Sequence, residues 1–135
     1  VAMFLPSLIT GHLIKKFGYS NIMYAGVLFY FITIILSLFD RTFSNYFISL
    51  VFLGLGWNFL FISGTSLVIS TYKEEEKFRA QGMNDLVVYS AMALASLSAG
   101  ILLSFAGWKM MNLFCVPLLI LTTYITFRAD VLSKK

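Results

Sequence analysis

The side chains of this 135-residue chain best suited to recognising a small molecule lie inside its longest apolar run. Between Phe43 and Thr71, the residues Gly54, Gly56, Trp57, Asn58, Ser63, Gly64, Thr65 and Ser66 gather near the middle. A helix over this run puts Gly54, Asn58, Phe61 and Thr65 on one stripe, because residues three and four apart share a face. Asn58 donates and accepts hydrogen bonds, Thr65 offers a hydroxyl, and Trp57 or Phe61 supplies an aromatic wall. That set fits non-covalent binding of a solute. It fits helix packing as well: glycines permit close approach, and an interhelical bond from an asparagine contributes only ~0.6 to 2 kcal/mol.

Catalysis has little to work with. The chain holds one histidine and one cysteine, and no Ser-His-Asp set, phosphate-cradling loop or metal-ligand spacing is present. His12 falls beside charged residues at the end of an apolar piece, and Cys115 falls inside an apolar run, where a thiol is inert. An enzyme is not expected, and neither a metal nor a cofactor is implied. Asp85 is the one carboxylate embedded in an apolar run, just after Arg79, Gln81 and Asn84. Proton coupling through it would need burial that keeps it able to hold a proton. Its position near the start of its helix argues instead for an interfacial role, since the first turns of a helix favour acidic residues.

The elements that must position these residues follow from composition. Hydrophobic residues make up 59% of the chain and charged residues 12%, against about a quarter charged in soluble domains; mean hydropathy is +0.87. Lipid must solvate much of this surface, and a spanning chain is then helical or a closed barrel. Barrel strands alternate polar and apolar residues over ~10 positions. Here the apolar runs are long: Asn21 to Phe39, Phe43 to Thr71, Gly82 to Ala106 and Met110 to Phe127. Each approaches or exceeds the ~20 residues that a transmembrane helix needs. The expected fold is an all-α integral membrane protein, a polytopic helical bundle. Its four full spans are expected at about residues 20–39, 43–71, 80–106 and 108–127, with a partial helix over 1–14 and a tail over 128–135. Residues 1–14 are too short to span, contain Pro6 and lack the marks of a signal peptide. They read as the end of a helix that starts before Val1, whereas Lys134-Lys135 reads as a natural C-terminus. Ala91, Ala95 and Ala99, with Ser96 and Gly100, form small-residue stripes for helix packing, and Pro117 is expected to kink the last span.

Charge sets the topology. If every run crosses once, alternate connectors share a side. One side then holds Lys15, Lys16, Lys73, Lys77, Arg79, Arg128, Lys134 and Lys135, and the other only Arg41 and Lys109. Cytoplasmic loops are the ones rich in Lys and Arg, so the first connector, the third and the C-terminus are expected to be cytoplasmic. Tyr19, Tyr24, Phe43, Tyr46, Tyr72, Trp108 and Tyr124 fall near the span ends, as aromatic belts require. Asp40-Arg41-Thr42 and Gly107-Trp108 are very short outer turns that make antiparallel hairpins. The net charge of +4 forms no basic patch among stacking aromatics, so nucleic acid is not an expected partner.

The first connector, Gly11-His12-Leu13-Ile14-Lys15-Lys16-Phe17-Gly18, carries a resemblance. It is similar to the cytoplasmic signature Gly-x-Leu-x-Asp-Arg-x-Gly-Arg of the Major Facilitator Superfamily. Gly11, Leu13, Lys16, Phe17 and Gly18 match, while Lys15 replaces the acid and Tyr19 the final base. The order of spans and connectors also resembles one half of such a transporter. The first half would place an Arg in its fourth span and a Gly-x-x-x-Gly-Pro pattern in its fifth. Here 43–71 has no Arg and 82–106 has no Pro. The resemblance therefore implies the C-terminal half, from the end of the eighth span through the twelfth.

That implies alternating-access transport of a small solute, a partner N-terminal half preceding Val1, and residence in the plasma (inner) membrane. It makes the tenth span line the cavity, with Trp57, Asn58, Phe61 and Thr65 as solute contacts. It makes Gly11, Lys15, Lys16 and Gly18, together with Asp85, parts of a cytoplasmic gate. Proton coupling remains compatible with this reading. The rival reading is a non-transporting multi-span scaffold or subunit; solute and direction are not legible.

Overall fold

The computed structural model of the chain describes residues 4–39 and 42–133. The described residues form helices α1 (Ser7–Phe17), α2 (Tyr19–Phe39) and α3 (Phe43–Ser70), a short 3₁₀ turn (Glu74–Glu76), and a helical run Lys77–Ser133. Gly107, at φ 73° and ψ 176°, breaks that run into α4 (77–106) and α5 (108–133). Helices thus occupy the four long apolar runs, with ends a few residues from those expected. Lys134, Lys135, Asp40 and Arg41 lie outside the described residues. The expected tail differs, because helix continues to Ser133. Pro117 lies inside α5 without interrupting it.

The first connector also differs from expectation. Helix α1 runs through Lys15 and Lys16 to Phe17, so most of the octapeptide is helical. Its two lysines occupy the last turn, where the negative end of the helix dipole favours cations. The turn is Gly18 alone: its φ of 83° suits glycine, and its N–H caps the Ile14 carbonyl at 2.8 Å.

Helices α2 and α3 pack most closely, at a crossing of two glycines. A Cβ placed on Gly56 would stand 3.0 Å from the Gly26 carbonyl oxygen, and one on Gly26 would stand 3.1 Å from that of Gly56. Phe29 flanks the crossing, its ring 5.6 Å from those of Phe52 and Phe59. Helix α5 then lies antiparallel to α2. The Trp108 indole donates to the Ser37 carbonyl at 3.2 Å and meets the Tyr46 ring edge-on at 5.7 Å. At the far end of α5, Tyr124 and Phe127 share a groove with Tyr24. Gly18, the segment after Ser70 and the end of α5 therefore share one end of the bundle, and Gly107 lies at the other. Trp108→Phe keeps most of the packing but removes the hydrogen bond, so a loss of about 1 kcal/mol is expected, read as a lower thermal midpoint in detergent.

No residue of α4 is buried. Ala91, Ala95, Ser96 and Gly100 are exposed and Ala99 is half-buried, so the small-residue stripe has no partner helix among the described residues.

Candidate functional site

Helix α3 carries the candidate stripe, and Gly56 orients it by pressing one face against α2. At 3.6 residues per turn, Phe61 and Thr65 then fall on the side turned away from that crossing. Trp57 and Phe61, one turn apart, stack nearly parallel, with centroids 5.6 Å apart and planes 10° apart. Both rings are half-buried, leaving part of the pair open.

Asn58 is placed differently. It is 3% exposed and faces fully buried Thr10 of α1, whose Oγ1 lies 2.6 Å from Asn58 Oδ1. Thr10 Oγ1 also lies 2.8 Å from the Pro6 carbonyl oxygen. Asn58 therefore ties α1 to α3, and the surface it leaves for a solute is negligible. Ser63 is fully buried, and its hydroxyl has no partner among the described residues.

Thr65 joins the stripe to α4. The Asn84 amide donates to Thr65 Oγ1 at 3.3 Å and lies 3.5 Å from Asp85 Oδ1. The sequence reading put Thr65 and Asp85 in separate groups, a cavity and a gate; the structure brings them together through Asn84. Asp85 is half-buried and is the ninth residue of the helical run Lys77–Ser133, more than two turns in. A groove of about 470 Å³ adjoins this point, lined by Val68, Tyr72, Glu76, Arg79, Met83 and Asn84 among others. Nearby, Lys77 pairs with Glu74 in the exposed turn that opens α4.

The signature residues are simpler. Gly11 lies exposed within α1, and nothing would crowd a side chain there. Lys15 and Lys16 are exposed, and Lys16 Nζ sits 5.3 Å from the Phe17 ring centroid. Gly18 makes the turn. These residues lie at the same end of the bundle as Asn84 and Asp85.

The arrangement offers a stacked ring pair and hydrogen-bonding groups within a set of long apolar helices, and no cluster of catalytic side chains among the described residues. The profile of the Major Facilitator Superfamily matches residues 1–134. The chain belongs to the Major Facilitator Superfamily. Among curated proteins it is similar to the riboflavin transporter RfnT of Brucella anthropi, at 37% identity over 121 residues, covering 90% of this chain and 30% of that protein. It is also similar to two Bacillus subtilis proteins, the uncharacterized MFS-type transporters YdeG and YddS. These are 28% and 27% identical, each match covering 83% of this chain and 26% of the relative. The chain thus spans less than a third of the length of these superfamily relatives. Superfamily membership places it with transport proteins and not with enzymes, as the absence of catalytic residue patterns led us to expect.

Proposed function

We propose that this chain forms the closing helices of the second half of a secondary transporter, which moves a small solute by alternating access. The order of its helices, the resemblance of Gly11–Gly18 to the superfamily's cytoplasmic signature, and the lack of an Arg in 43–71 and a Pro in 82–106 support that placement. In this reading α1 is the end of the eighth span and α5 is the twelfth. Such carriers rock two halves about a central site, and the N-terminal half is this chain's partner. The basic residues at the Gly18 end support a cytoplasmic position for that end, with the protein in the plasma (inner) membrane.

We further propose a planar heteroaromatic solute of the riboflavin class. The observation that carries this is the parallel, part-open Trp57–Phe61 pair, whose faces suit a flat ring system. The named function of the Brucella relative agrees with it. Thr65 adds a hydroxyl on the same side, while Asn58 acts from beneath by fixing α1 against α3. The test is uptake of labelled riboflavin by the full-length protein in proteoliposomes, with and without a pH gradient. Trp57→Ala or Phe61→Ala is expected to raise KM roughly two- to tenfold, the equivalent of ~0.5 to 1.5 kcal/mol of stacking. Absence of saturable riboflavin uptake would reject the solute class, and absence of any solute movement would favour the scaffold.

Asp85 serves the gate in this reading, together with Gly11, Lys15, Lys16 and Gly18. It meets a basic residue of the other half when the cytoplasmic side closes, and Asn84 carries that movement to Thr65. Asp85→Asn is expected to slow transport at least several-fold while solute affinity stays within about twofold, because only one of two states loses a contact. Loss of binding in that variant would reject the gate role.

A further inference from the structure

A threonine inside a helix can donate its hydroxyl hydrogen to the carbonyl one turn back. Thr10, Thr33, Thr122, Thr123 and Thr126 all do so, at 2.7–2.9 Å. Thr65 differs. Its Oγ1 accepts from the Asn84 amide at 3.3 Å, and among the described residues its own hydrogen is donated to nothing.

Asn84 is the counterpart. Its Nδ2 lies 3.3 Å from Thr65 Oγ1 and 3.5 Å from Asp85 Oδ1, so the amide hydrogens face those two oxygens. Its carbonyl Oδ1 receives no hydrogen bond among the described residues. Both residues are half-buried, and Asn84 lines the groove of about 470 Å³ between α3 and α4. The two side chains thus leave one donor and one acceptor unused, on groups already held together.

A donor beside an acceptor complements a cyclic amide or imide, whose ring N–H adjoins a C=O. Thr65 follows Phe61 by one turn, ~6 Å along α3 and on the same side. A fused-ring solute lying on the Phe61 face can therefore reach the pair with one edge. Stacking does little to tell one flat ring from another, since each has a π-face. A site that hydrogen-bonds a given edge, by contrast, rejects an analogue that lacks it.

We propose that Thr65 and Asn84 set the specificity of the solute site: Thr65 Oγ1–H donates to a ring carbonyl, and Asn84 Oδ1 accepts from the adjacent ring N–H. This role rests on the Trp57–Phe61 pair being the solute platform. It narrows the solute to flat heterocycles with a cyclic amide or imide edge. A solute so held bridges α3 and α4 beside Asp85.

The test is equilibrium binding to the full-length protein in nanodiscs, read by quenching of flavin fluorescence. The probes are riboflavin and 3-methylriboflavin, in which a methyl group replaces the imide hydrogen. The wild type should bind 3-methylriboflavin about tenfold more weakly, the equivalent of ~1.4 kcal/mol. Asn84→Ala should weaken riboflavin by about that factor and bring the two affinities together. Thr65→Val should weaken both probes about fivefold, as one hydrogen bond is lost, and keep their ratio. Phe61→Ala should weaken both and also keep the ratio, because only stacking is lost. The ratio within one variant does not depend on how much of that variant folds. Equal binding of the two flavins by the wild type, or an unchanged ratio in Asn84→Ala, would overturn the edge contact and leave the ring platform standing. Absence of binding of either flavin would overturn platform and edge together.

Discussion

Gly56→Leu is expected to abolish well-folded protein. The Cβ alone would stand 3.0 Å from the Gly26 carbonyl oxygen and 3.3 Å from Tyr30 Cδ1. The first of these is backbone and cannot rotate away, so α2 and α3 must separate. Separation also opens the contacts of Phe29 with Phe52 and Phe59 beside the crossing. Overpacking of this kind costs ~1–3 kcal/mol and occasionally more, and the lost ring contacts add to it. Gly56→Ala should give an intermediate loss. Gly26→Ala should give a comparable loss, because its Cβ would stand 2.9 Å from Leu60 Cγ and 3.1 and 3.2 Å from the backbone Gly56 oxygen and Leu60 nitrogen. Fluorescence-detected size exclusion and thermal midpoints of the full-length variants read this order. A monodisperse Gly56→Leu protein with an unchanged midpoint would show that the crossing does not depend on glycine.

Asn58→Asp should rank second. Asn58 is 3% exposed near the middle of α3, where a carboxylate costs ~2.5 to 3.5 kcal/mol on insertion scales. Asn58→Leu should cost less, ~0.6 to 2 kcal/mol for its interhelical bond to Thr10, since Thr10 keeps its bond to Pro6. The pair separates two roles by comparing thermal midpoints with transport. If Asn58 only joins α1 to α3, activity falls in step with stability across both variants. If Asn58→Leu leaves the midpoint near wild type and still eliminates transport, Asn58 touches the solute.

The four spans were legible because lipid demands long apolar helices and this chain has four runs of that length. The break at Gly107 was legible within the short turn Gly107-Trp108, whereas the break at Gly18 was placed too broadly, over Gly11 to Gly18. Lys15 and Lys16 misled because charge reads as loop, yet the end of a helix accommodates lysines through its dipole. Within the candidate site, helical period put Asn58, Phe61 and Thr65 on one stripe. It said nothing of which edge a neighbour would cover, and α1 covers the edge that holds Asn58. The Thr65–Asn84 bond and the Gly26–Gly56 crossing join residues 19 and 30 positions apart. Pairings of this kind follow from how helices dock and leave no local pattern in the chain.

The two glycine turns have a mechanical consequence. Each reverses the chain within one residue, so neither has slack: a shift of α1 along its axis is passed to α2, and a shift of α4 is passed to α5. Between α3 and α4 the chain instead runs through the exposed residues 71–76, which include the 3₁₀ turn. Helix α4 is thus joined to α5 through one residue, Gly107, and to α3 through six at its other end, the end that holds Asn84 and Asp85.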